Sequence, residues 1–153
     1  MGCLPFGDYD DYSPAFNSFA GHGGRQAAGF RRKAPGDCVT RSISIALELP
    51  YSEVHERVGE INQFVASARK LRIAPEKLAA DYRGSVQCSR WLATMGWRFV
   101  AKQMPLTGAL TILPAGHFII CFRTHWAAVI DGVLHDLHPE IGSGDVMGYF
   151  TKT

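Results

Sequence analysis

One thiol, one imidazole and one carboxylate in this chain are placed so that they could work together. Cys38 sits in Gly36-Asp37-Cys38-Val39-Thr40-Arg41, directly ahead of an apolar pattern with helical spacing, while His125 and Asp136 lie on a strand-like stretch far downstream. A thiol in the first turn of a helix sees the positive end of the helix dipole, and a nearby histidine can take its proton. The resulting thiolate attacks a carbonyl carbon. In such a set Cys38 is the nucleophile, His125 stabilises the thiolate and hands a proton to the leaving amine, and Asp136 holds the imidazole in the useful tautomer. The backbone N–H of Cys38, at the helix start, is placed to donate to the developing oxyanion.

The pairing of His125 with Asp136 follows from a turn. Asp131-Gly132, between Trp126-Ala127-Ala128-Val129-Ile130 and Val133-Leu134-His135, is a two-residue hairpin signal, because a type I′ turn needs positive φ at both positions. In that register Ile130 faces Val133, Val129 faces Leu134, Ala128 faces His135 and Ala127 faces Asp136. Alternation then puts His125, Ala127 and Val129 on one face with Leu134, Asp136 and His138. Asp136 becomes the diagonal neighbour of His125, about 7–8 Å away between backbones, a gap that the two side chains can bridge. Asp131, about 20 Å along the strand, cannot orient His125. His138 falls straight across from His125 and competes for the third role or supports it from behind. A slip of one residue would remove Asp136 from the face.

Helices and a sheet must carry these groups. From 38 to 49 the apolar residues Val39, Ile43, Ala46 and Leu47 recur at helical intervals until Pro50, and Asp37 is a natural N-cap whose carboxylate accepts first-turn N–H groups. A second helix starts near Ser52 with Val54, Val58, Ile61 and Val65 inside and Glu53, Glu56, Arg57 and Glu60 outside. Pro75 suits the first turn of a short third helix ending near Tyr82. Ser85 caps a fourth, carrying Val86, Trp91, Leu92 and Met95 and closed by Gly96. The second half changes period. Runs at 97–101, 110–113, 117–122, 125–130, 133–137 and 146–150 read as strands of an antiparallel meander. Helices first and strands second make an α+β pattern, with N-terminal helices packed on a C-terminal antiparallel β-sheet.

Composition sets the outer limits. The 153 residues, 46% hydrophobic and 20% charged, suffice for one domain with a real core. Residues 1–33, rich in Gly, Asp, Ser and aromatics without a period, read as an irregular N-terminal arm, and 34–153 as the catalytic domain. The formal charge of +2 and the isolated Arg31-Arg32-Lys33 do not point to nucleic acid. The apolar runs are too short to cross a membrane. Met1-Gly2-Cys3-Leu4-Pro5-Phe6 leads straight to Asp8, Asp10 and Asp11, so no secretion signal is expected, and the scattered cysteines at 3, 38, 88 and 121 read as reduced thiols of a cytoplasmic protein. Cys88 and Cys121 read as core. His135 and His138 face opposite sides of a strand, which argues against a shared metal ion, and no cofactor is implied. His117 has no evident partner, and Arg41 reads as a surface or structural ion pair.

In Gly36-Asp37-Cys38-Val39-Thr40-Arg41-Ser42-Ile43, Trp91-Leu92, Met95-Gly96-Trp97 and the run from His125 to Asp136, the chain resembles the papain-like cysteine peptidases, in particular small papain-like proteins encoded by bacteriophages and their hosts. The resemblance spans about residues 36 to 150. It implies a papain-like fold, a protein or peptide substrate, and Cys38, His125 and Asp136 as nucleophile, acid–base and orienting residue. In one place the chain departs from that pattern. Papain-like enzymes usually carry a glutamine about six residues before the nucleophile as a second oxyanion donor; here that position is Arg32, and Gln26 is twelve residues ahead. Both are oxyanion candidates.

Three functions are compatible with these residues. A cysteine hydrolase (peptidase, isopeptidase or amidase) would work through a thioester. A transglutaminase-like or other acyl transferase would use the same three residues and differ in whether water or an amine takes the acyl group. A non-catalytic phage-type binding protein would block a host factor.

Overall fold

Apolar residues spaced three and four apart make helices of Cys38–Leu47, Tyr51–Ala68 and Ser85–Thr94, and the burial pattern of the first two follows that spacing. The computed structural model describes residues 37–68, 85–136 and 145–153. The arm at 1–33, with Gln26 and Arg32, the helix expected at 75–82 and His138 lie outside the described residues. Helix α1 (Cys38–Leu47) buries Val39, Ile43 and Ala46, but also Thr40, Arg41, Ser42 and Ser44. Ser42 and Ser44 satisfy their hydroxyls on the carbonyls of Val39 and Thr40 at 3.0 and 2.8 Å. Glu48 then turns left-handed at φ 55, and Pro50 opens α2 (Tyr51–Ala68), accepting from the Val54 N–H at 3.2 Å. The expected α2 stripe of Val54, Val58, Ile61 and Val65 is buried, with Glu53, Glu56, Arg57 and Glu60 outside. Helix α3 (Ser85–Thr94) buries Cys88 and Leu92 and is closed by Gly96 at φ 83.

Among the described residues five strands follow: β1 (Trp97–Met104), β2 (His117–Cys121), β3 (Trp126–Ile130), β4 (Val133–His135) and β5 (Val146–Lys152). All pairings among them are antiparallel. The fold is α+β, but the sheet is not the expected meander. Its order is β1-β5-β2-β3-β4, with the last strand inserted between the first and second. The expected strand at 110–113 is also corrected. Leu106–Ile112 forms a short helix, α4, after Pro105. Leu106, Ala109, Leu110 and Leu113 stand at helical spacing and pack on the sheet, so burying that stripe outweighs the strand-like look of the shorter run.

Two apolar layers enclose the sheet. On one side Ile119, Cys121, Trp126, Ala128 and Phe150 pack against Val39, Ile43 and Ala46 of α1, Val54, Val58 and Ile61 of α2, and Cys88 and Leu92 of α3. On the other, Phe118, Ile120, Ala127, Val129 and Leu134 pack against Ala109 and Leu113. The alternation of Trp126 and Ala128 against Ala127 and Val129 is the period of two that β3 was expected to have. His117 is not without a partner, since its Nδ1 lies 2.9 Å from the Ala46 carbonyl oxygen and ties β2 to the end of α1. No described helix is long and apolar enough to cross a membrane.

Candidate active site

The turn that fixes the site has the conformation its two residues demand. Asp131 (φ 50) and Gly132 (φ 78) both occupy the left-handed region, and the strands they join pair Ile130 with Val133, Val129 with Leu134 and Ala128 with His135. Asp131 also accepts from the Gly116 N–H at 2.8 Å through its side chain, which occupies it well away from His125. One residue beyond β4, Asp136 Oδ2 lies 2.5 Å from His125 Nε2. His125 itself closes the β2–β3 hairpin, its carbonyl accepting from the Phe122 N–H at 2.7 Å and its ring resting near that of Phe122.

Cys38 is the first residue of α1, and its thiol lies close enough to His125 to help raise the pKa of the imidazole. With Nε2 engaged by Asp136, Nδ1 is the ring nitrogen left for chemistry with the thiol. The three side chains expected from the sequence are thus brought together, and all three residues are buried: Cys38 is 7%, His125 5% and Asp136 1% exposed. Burial works against a charged imidazole, but the hydrogen bond to Asp136, the neighbouring Cys38 thiol and the charges of both outweigh it and push the His125 pKa up to about 9.

Behind this row lies a charged cluster with a larger part than the sequence reading gave it. Arg41 is not on the surface. It is 6% exposed and bridges two carboxylates, with Nε donating to Asp37 Oδ1 at 2.8 Å and Nη1 donating to Asp136 Oδ1 at 3.1 Å. Tyr51 of α2 donates its hydroxyl to Asp37 Oδ2 at 2.5 Å. Asp37 therefore occupies the N-cap position but makes no side-chain cap hydrogen bond, contrary to expectation, because Arg41 and Tyr51 hold both of its oxygens. Burial disfavours the Arg41 charge, yet Asp136 and then Asp37 outweigh it and hold its pKa above the ordinary arginine value, with a smaller contribution from Cys38. The i, i+4 spacing of Asp37 and Arg41 was the available signal for half of this arrangement. Nothing local announces the other half.

The remaining described thiols are core residues. Burial pushes Cys88 up to about 12, and Cys121 is raised by burial and by its proximity to Cys38. An open cleft of about 650 Å³ is lined by residues such as Leu47, Leu49, Met95, Trp97 and Lys152 at the C-terminal end of α1. It lies about 15 Å from the thiol, the length of a ten-residue helix, and takes no part in this chemistry. A scan against protein-family models finds no match to this chain, and searches of curated proteins and of solved structures find none either. The chemistry rests on the geometry of the site itself.

Proposed function

We propose that this protein is a cysteine hydrolase of papain-like arrangement, acting on an amide or isopeptide bond of a protein or peptide through a thioester intermediate. The observation that carries the reading is one buried imidazole with Asp136 on Nε2 and the helix-start thiol of Cys38 close enough to help raise its pKa. A core histidine needs one partner, whereas a histidine held between a carboxylate and a helix-start thiol has the parts of an acid–base relay.

Transfer of the thiol proton to His125 yields a thiolate and an imidazolium. The sulfur bonds to the substrate carbonyl carbon, and the carbonyl electron pair moves to oxygen, where the N–H of Cys38 at the helix start is a donor. When the carbonyl re-forms, the carbon–nitrogen bond breaks and the amine leaves with the imidazolium proton. Water, deprotonated by the now neutral His125, attacks the thioester. The carbon–sulfur bond breaks, the acid departs and the thiol is restored.

p-Nitrophenyl acetate tests this without knowledge of the natural substrate. The expected result is a stoichiometric burst of nitrophenolate, an acetyl group on Cys38 by peptide mass mapping, and slow turnover, all lost in Cys38→Ala. Acetylation spread over surface lysines and unchanged in Cys38→Ala would contradict the proposal. If added primary amines captured the acetyl group in preference to water, acyl transfer would be favoured over hydrolysis.

A further inference from the structure

Asp136 is usable as an orienting group only if it keeps one oxygen aimed at His125. A carboxylate held through that oxygen alone could rotate away from the ring. Its Oδ2 faces His125, and its Oδ1 is held by Arg41 Nη1 at 3.1 Å. The same guanidinium uses Nε on Asp37, the residue immediately before the nucleophile. A carboxylate in that position would repel a neighbouring thiolate. Instead its charge is balanced by Arg41 while the Tyr51 hydroxyl holds its other oxygen, and Arg41 is close enough to Cys38 to feel its charge.

We propose that Arg41 is the positioning residue of this site: its guanidinium clamps Asp136 to His125 and at the same time cancels the Asp37 charge beside the Cys38 sulfur. The proposal rests on the cysteine-hydrolase reading and adds a fourth residue to it. A planar fork suits the task because it reaches two carboxylates in fixed directions, which a lysine ammonium, a point charge on a flexible stem, does not. Burial, Asp136 and Cys38 set the protonation of His125, and the charged and titratable groups around that set come from three sides. Cys38, Asp37 and Arg41 belong to α1 and its cap, Asp136 follows β4, and Tyr51 and His55 stand on α2 near Asp37. Cys121 of β2 lies near Cys38. With the thiolate formed, Asp37, Asp136 and Cys38 are negative, and Arg41 and His125 are positive. Removing Arg41 leaves one cation against three anions, so the imidazolium is held more tightly.

Two variants separate positioning from mere support. The His125 ring is followed by NMR titration, and Cys38 alkylation by iodoacetamide is timed at pH 6.5. Arg41→Gln is expected to move the His125 midpoint above its wild-type value, whereas simple loosening of the fold would expose the ring and move the midpoint down. Arg41→Lys keeps the charge but loses the fork; it is expected to leave the midpoint in place and slow alkylation about 10- to 100-fold, as misplacement of a supporting group does. A fall or no change in the Arg41→Gln midpoint overturns the proposal. So does alkylation of Arg41→Lys within about twofold of wild type, and this outcome decides alone if Arg41→Gln does not fold. A wild-type Cys38 no more reactive than a free thiol would instead sink the hydrolase reading, whatever Arg41 does to His125.

Discussion

Arg41 and Asp136, 95 residues apart in the chain, are joined in the interior by a hydrogen bond of 3.1 Å between Nη1 and Oδ1. The contact links the helix that carries the thiol to the hairpin that carries the imidazole. Its loss should therefore affect both stability and chemistry.

Asp136→Asn separates these effects. The amide keeps the shape but cannot balance Arg41 or an imidazolium, so the acylation rate with p-nitrophenyl acetate at pH 7 should fall by roughly 10²- to 10⁴-fold. Breaking a buried charge pair should also lower stability by about 3 kcal/mol in a urea titration. Unchanged acylation in a folded Asp136→Asn protein would remove Asp136 from the mechanism.

His125 gives stability a pH dependence of known sign. An unfolded histidine titrates near ~6.5, and the folded one is raised to about 9 by Asp136 and Cys38 against the opposing effect of burial. Its contribution is fully present below the unfolded value and is lost as pH rises through about 9. Thermal midpoints of the wild type should fall between pH 6.5 and pH 9.5 by more than those of His125→Gln. Parallel curves for the two proteins would show that His125 is not held charged by the fold.

Gly148 should tolerate no side chain. It lies on β5, paired with Ala101 on one side and Cys121 on the other, and a Cβ there would run into the Phe99 ring and sit 2.5 Å from the Val100 carbonyl oxygen. Gly148→Ala is expected to destabilise the protein by about 1–3 kcal/mol through overpacking. Chemical denaturation measures it, and a neutral result would mean that β1 can move away from β5.

The structure bears out the sequence reading where the signal is local. Asp131-Gly132 specifies a turn with two left-handed residues, the turn specifies the register, and the register brings Asp136 to His125. The α2 stripe is legible for the same reason, because its burial is a property of spacing. What failed depended on distant partners. The insertion of β5 between β1 and β2 leaves no mark on the strands' own composition, so a meander was the simpler reading. Leu110 to Leu113 alone looks like a strand; only extending the frame back to Leu106 exposes the helical interval. Asp37 has the right residue type for a cap, but Arg41 and Tyr51 compete for its oxygens and win. Arg41 was readable as an ion-pair residue, although its burial and its reach to Asp136 depend on where the hairpin lands.

The central claim is that Cys38 and His125 act as a pair, and thiol reactivity at low pH tests it most directly. At pH 6 a free thiol with a pKa of about 8.5 is on the order of 0.3% ionised and reacts slowly. Iodoacetamide labelling at pH 6, mapped by peptide mass and compared with N-acetylcysteine, should find Cys38 at least about tenfold faster, Cys88 and Cys121 unlabelled in the folded protein, and the advantage of Cys38 abolished in His125→Ala. Labelling of Cys38 at or below the rate of N-acetylcysteine, or unaffected by His125→Ala, would contradict the account.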